Sequence, residues 1–286
     1  MESSRFFGFI PLPILAVACL VASLLLARYR VLRYLPFKRM GRNASSAVSL
    51  LLVLCCPAAF VTPTALFALL PIQLINLHLF RNARPHQSSS PFEATSIGFW
   101  CAVAALLYSP ALLLLPLSAI NLLTMGTERN GRSFVALFIG FIATLTCILP
   151  FGFLFPESIP AWSSAFLDSL VPQPFWEAEP PSADTLFCVV PMLLCLLVAA
   201  FVRLLRPVPA DERSRHCLNA QLRYLFLLPF ALFWAQHTMG LFLMAALPVG
   251  ELTAHAFRGA GKKIRVWSLF LLLIAPSLAW LLLFQG

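Results

Sequence analysis

Glu251 and His255 are the residues of this chain whose type and spacing most directly suggest chemistry. Glu251 is an acid set within an apolar run, and His255 follows four positions later, which puts both on one helical face. An acid inside such a run is a functional candidate by default, and this pair could hold a proton, a cation or a substrate amine. The competing reading is structural. Glu251 lies about two helical turns before Arg258, near enough to the membrane interface to snorkel or pair with it. The structural reading is the simpler and is preferred.

A second set of candidates lies in the acid-rich segment 156–184, where Asp168 or Glu157 could act as general base on a lipid-linked substrate. A solvated acidic loop accounts for them more economically. A third set is the basic cluster Arg28, Arg30, Arg33, Lys38, Arg39 and Arg42, which could bind anionic lipid headgroups or a lipid pyrophosphate. Membrane orientation alone also explains that cluster. Gln236 and His237 fall at a predicted helical turn, where they could bond a ligand or satisfy the backbone. Asn76, His78 and Asn121 read as helix-to-helix hydrogen-bonding residues.

These residues must be positioned by membrane helices. The chain is 60% hydrophobic and 11% charged with a mean hydropathy of +0.87, whereas soluble domains are about 25% charged. Its net charge of +9 is confined to short loops between apolar runs, which excludes a nucleic-acid partner and follows the positive-inside rule. Of the 8 cysteines, seven lie inside apolar runs and none shows a C-x-x-C spacing, so neither a metal nor a disulfide framework is expected, and no cofactor.

Two uncharged runs, Ala44–Phe80 and Ala94–Met125, are double length. As straight helices they would rise about 55 and 48 Å, far beyond a hydrocarbon core of about 30 Å. Each carries prolines near its middle: Pro57 and Pro63 in the first, Pro110 after Tyr108-Ser109 in the second. Each therefore reads as a helical hairpin. A third such run, 224–257, breaks near Gln236–Gly240. With further spans near 6–27, 133–155, 186–202 and 266–284, the fold expected is an all-α polytopic bundle of about ten membrane segments. It forms a single domain with both termini outside. Nineteen of the 20 Lys and Arg then fall in cytoplasmic loops, and the segment 156–184, with five acids and no Lys or Arg, becomes the periplasmic loop. Arms of this length can cross a thinned bilayer or turn back within it, and both return the chain to the same side. Within the periplasmic loop, Trp162, Phe166 and Leu170 at i, i+4 and i+8 predict an interfacial amphipathic helix near 161–170.

Several short motifs carry a resemblance. They are Leu-Ile-Asn-Leu-His-Leu-Phe-Arg at 74–81, Phe92…Gly98…Ala104…Leu107-Tyr108-Ser109-Pro110-Ala111, Arg132…Gly140-Phe141…Pro150 and Ala246-Leu-Pro…Phe257-Arg…Lys263…Arg265-Val-Trp267. From Ala44 onward the chain resembles an uncharacterised family of polytopic inner-membrane proteins of Bacteroidota. That resemblance implies a multi-pass protein of the bacterial inner membrane. It also implies that the family begins with one more span and an outer loop than this chain. Ser96–Leu115 is, more faintly, similar to part of membrane glycosyltransferases that use polyprenyl-phosphate sugars; the outer loop that holds their essential acid is not found here. The expected role is a scaffold or subunit in cell-envelope assembly. An enzyme acting on lipid-linked sugars and a transporter using Glu251 and His255 are the alternatives. Membrane lipids, a lipid-linked glycan or other envelope proteins are the expected partners.

Overall fold

Proline placement sets several helix boundaries in the computed structural model. The structure describes residues 12–34, 39–54, 64–82, 90–125, 130–148, 158–174 and 212–257, with the isolated positions 150 and 193. The helices are α1 (Leu12–Tyr34), α2 (Arg39–Leu54), α3 (Thr64–Asn82), α4 (Pro91–Leu107), α5 (Leu114–Met125), α6 (Asn130–Thr146), α7 (Ser158–Leu170), α8 (Glu212–Tyr224), α9 (Leu227–Phe233) and α10 (Thr238–Phe257). Short 3₁₀ turns, Ser109–Leu113 and Ala235–His237, join α4 to α5 and α9 to α10. Among the described residues the only β pairing is an isolated bridge, Gln173 with Trp234. The fold is all-α.

Pro91 opens α4, where its missing N–H costs nothing. Pro110 ends it, because it has no N–H to bond the Leu106 carbonyl and its ring clashes with that preceding turn. Tyr108 is accordingly extended, with φ −150° and ψ 104°, and its N–H closes the last turn on Ala104. The chain then reverses. Cys101 Sγ lies 3.7 Å from Ser118 Oγ, whereas 17 residues of continuous helix would separate them by about 25 Å. The second double-length run is therefore a hairpin, broken where its sequence predicts. The third breaks at residues 234–237, and α9 packs back on α10. The first break, Pro57–Pro63, lies outside the described residues; its arms α2 and α3 share α1 and α10 as neighbours.

Three expectations change. The basic stretch Arg28–Arg42, predicted as a loop, is largely helical: α1 continues to Tyr34 and α2 starts at Arg39. Arginine is a good helix former, and no Gly or Pro intervenes before Pro36. The expected loop 203–223 contains α8. The helix expected near 161–170, α7, begins a turn earlier than predicted, at Ser158. The expected spans 186–202 and 266–284 lie outside the described residues, apart from position 193. Among the described residues one helix, α3, is long and apolar enough to cross a membrane by itself; shorter apolar helices occupy 91–107, 109–124, 131–146 and 238–253.

α10 is the axis of the bundle. Every residue from Leu241 to Thr253 is buried, as expected of a helix that is apolar all round. It packs on α2, α9, α8 and α3. The α4–α6 crossing depends on small residues instead. Ala94, Gly98 and Ala102 of α4 and Ala136, Gly140 and Thr144 of α6 repeat every four positions and are buried. A Cβ on Gly98 would stand 1.9 Å from the Leu137 carbonyl oxygen, and one on Gly140 would stand 2.1 Å from that of Thr95. Such stripes let helix backbones approach closely where the surrounding solvent is as apolar as leucine. Gly98→Val is therefore expected to cost at least about 1–3 kcal/mol through overpacking. Gly131→Ala, with nothing within 4 Å of its Cβ, serves as control. Thermal unfolding in detergent measures both, and equal melting temperatures would contradict this account of the crossing.

Candidate functional site

Two groups of polar contacts stand out among the described residues. In the first, Arg30 and Glu251 form a buried ion pair, Arg30 Nη2 donating to Glu251 Oε1. Register brings Arg30 inward. Ala16, Leu20, Ser23, Ala27 and Arg30 follow alternating spacings of four and three and form the buried stripe of α1. Ile14, Val17, Val21, Leu25 and Arg28 form the exposed stripe. Two residues are about 200° of helix, so neighbours in one basic cluster have opposite environments. The Arg30 guanidinium sits over the Phe80 ring of α3, 4.8 Å from its centroid. Tyr224 and Cys217 of α8 lie within electrostatic reach of it. Glu251 is 13 residues into α10, about 20 Å from the turn at Thr238.

Several buried polar atoms of this pair and of the α3 and α8 faces that carry Phe80 and Tyr224 have no hydrogen-bond partner. They are Arg30 Nε and Nη1, Glu251 Oε2 and both side-chain amide atoms of Gln73, Asn76 and Gln221. Gln73, Asn76 and Phe80 fall at i, i+3 and i+7 on one face of α3. Gln221 lies between Cys217 and Tyr224 on the inner face of α8. At the rim, Arg223 donates to Asn121 Oδ1 at 2.7 Å and to Thr124. His78 meets Glu93 in a partly buried pair, and Asn82 Oδ1 accepts the Ser90 N–H at 2.8 Å.

The second group is the turn 234–237, which caps α7. The last carbonyls of a helix lack intrahelical donors. Trp234 Nε1 donates to the Leu170 carbonyl at 3.2 Å, and Gln236 Nε2 donates to those of Ser169 and Val171. His237 Nε2 lies 3.0 Å from the Ser169 carbonyl, so its proton is on Nε2. Ser109 and Ser169 bond through their hydroxyls. Tyr108 donates to the His237 carbonyl at 3.1 Å and meets its ring edge to face. A Cβ on Gly240 would stand 2.1 Å from the Tyr108 oxygen. Burial pushes the His237 pKa below the ordinary imidazole value, opposed by its bond to Ser169.

The structure thus brings Glu251 to Arg30, a partner the sequence spacing did not suggest; the expected one, Arg258, lies outside the described residues. His255 is on α10 one turn beyond Glu251, but its side chain is not among those described, nor are those of Arg33, Arg39 and Arg42. Glu157 and Lys38 lie outside the described residues. Arg28 is exposed on α1, and Asp168 is exposed on α7. Sequence reading missed Gln73, Gln221, Tyr224 and Tyr108. The in-phase small residues of α1 are the signal that would have placed Arg30 inside.

Arg30→Met leaves Glu251 charged and unpaired, and is expected to destabilise the protein by about 3–5 kcal/mol. The Arg30→Met/Glu251→Leu double variant should recover most of that loss. Melting in detergent measures both, and a single variant as stable as the parent would refute a paired, buried charge. His237 is partly buried with a lowered pKa, so the unfolded chain binds the extra proton first. Stability therefore falls as pH drops below about 6.5. His237→Gln should flatten that part of the profile.

Neither a curated protein nor a solved structure matches the chain. A family model matches residues 11–285, nearly the whole sequence, and the chain therefore belongs to a family of unknown function, DUF6427.

Proposed function

We propose that the chain is a multi-pass protein of the bacterial inner membrane that serves as a scaffold or subunit in cell-envelope assembly. Embedding by several spans is supported by aliphatic side chains exposed opposite buried faces. Ile14, Val17, Val21 and Leu25 form one such stripe on α1, and Val135, Ile139 and Ile142 form another on α6. Water tolerates apolar patches of this kind poorly, whereas lipid matches them. The placement of Arg30, Arg81, Glu93, Arg223 and Glu251 at one end, and of α7 with the two 3₁₀ turns at the other, supports hairpins that traverse the bilayer.

One observation carries the choice of role. Glu251 is already held by Arg30, so its charge is used in packing helices rather than left for a proton or a transported cation. A second reading, an enzyme acting on lipid-linked sugars at the outer face, retains Asp168. That residue stands exposed on α7 beside Ser169, which bonds to Ser109 and His237.

Topology is tested by single cysteines at positions 81 and 168 in intact cells. A membrane-impermeant maleimide should label position 168 and spare 81; the reverse pattern would refute the orientation. Role is tested in a deletion strain profiled for surface glycans and lipids. Asp168→Ala should restore the wild-type profile, and crosslinking in cells should join the chain to an envelope protein. An accumulated but non-restoring Asp168→Ala protein would replace the scaffold with the enzyme.

A further inference from the structure

We propose that the seam between α1, α3 and α10, covered by α8, is a binding site for a neutral, hydroxyl-rich group such as a sugar ring. Buried amides and guanidinium nitrogens are almost always hydrogen-bonded, because leaving one unpaired costs about 1–3 kcal/mol. Here Gln73, Asn76 and Gln221 are each at most 2% exposed and have both amide atoms unpartnered, beside two unpartnered nitrogens of Arg30 and one oxygen of Glu251. This is too concentrated a deficit for a helix contact meant to stay shut. Apolar residues of similar volume would serve a permanent contact better.

The atoms themselves select the ligand. Arg30 and Glu251 cancel in charge. An incoming anion would face the second Glu251 oxygen, and an incoming cation would face Arg30 Nε and Nη1. A neutral group avoids both penalties. Three carboxamides present donors and acceptors side by side, and a hydroxyl both donates and accepts, so a polyol satisfies them where a simple acceptor would not.

The seam is closed in this structure, since these atoms have essentially no accessible surface. Entry requires a cover to move, and α8, whose Tyr224 and Cys217 lie near the Arg30 guanidinium, is the described helix placed to be that cover. Its inner face carries Cys217, Gln221 and Tyr224, while Arg215 is exposed. It rests on α10 and α5, and Arg223 ties it to Asn121 and Thr124. The ligand must therefore bind the arrangement with α8 displaced, and by mass action it increases the population of that arrangement.

Cys217, buried on α8, reports the displacement. The full chain, purified in a polyoxyethylene detergent, is alkylated with N-ethylmaleimide and each thiol is followed by peptide mass spectrometry. Octyl glucoside is expected to accelerate Cys217 at least threefold and to leave Cys147, exposed at the C-terminal end of α6 and already freely reactive, unchanged. Acceleration by octyl glucoside alone identifies a lipid-borne headgroup; acceleration by free glucose as well identifies a soluble sugar. The Gln73→Met/Asn76→Leu variant should melt at or above the parental temperature and lose the acceleration. The proposal is overturned if neither sugar probe acts or if phosphatidylglycerol acts equally. It is also overturned if the variant responds like the parent or melts well below it.

Discussion

A guanidinium and a carboxylate taken out of water together constrain everything else in this bundle. Arg30 is on the first helix and Glu251 on the last described one, 221 residues apart. Breaking their contact leaves a bare charge in an apolar interior, so α1 and α10 must meet at one level and in one rotation. That requirement fixes the face α1 presents, and with it the exposed apolar stripe on its opposite side. It also places the end of α3, whose Phe80 ring lies under the guanidinium, and α8, which covers it.

Away from the pair, the helices meet through close backbone approach and polar anchors, the packing expected in the bilayer setting proposed above, where hiding leucine from lipid gains little. The α4–α6 crossing uses Gly98 and Gly140, and Gly250 of α10 similarly admits Ser49 of α2, whose oxygen would stand 2.1 Å from an added Cβ. The second polar group works differently: a turn from one hairpin satisfies the carbonyl end of a helix that lies outside it in sequence.

Much of this architecture is legible in the residues. Pro110 announces the reversal after Tyr108, and the i, i+4, i+8 spacing of Trp162, Phe166 and Leu170 announces α7. The break near His237 is visible as a polar interruption of an apolar run. The boundary of α1 was not legible, because a basic cluster reads as a loop by charge while its helix propensity is high. The Arg30–Glu251 partnership was hidden for a related reason: contact between distant helices depends on rotation about each axis, which charge counting ignores. Gln73 and Gln221 were obscured because one amide in an apolar run resembles ordinary helix-to-helix bonding until its partners are found missing.

The separation of the paired charges also has a consequence in time. Ribosomes add about 5–20 residues per second, so Glu251 emerges roughly 10–40 s after Arg30. Throughout that interval α1 exists without its counter-ion. In the membrane arrangement proposed above, the long arginine stem would let the charge reach the headgroups meanwhile and would hold α1 displaced toward them. Synthesis of α10 then supplies the acid that draws Arg30 down beside Phe80, making the last described helix the step that seats the first.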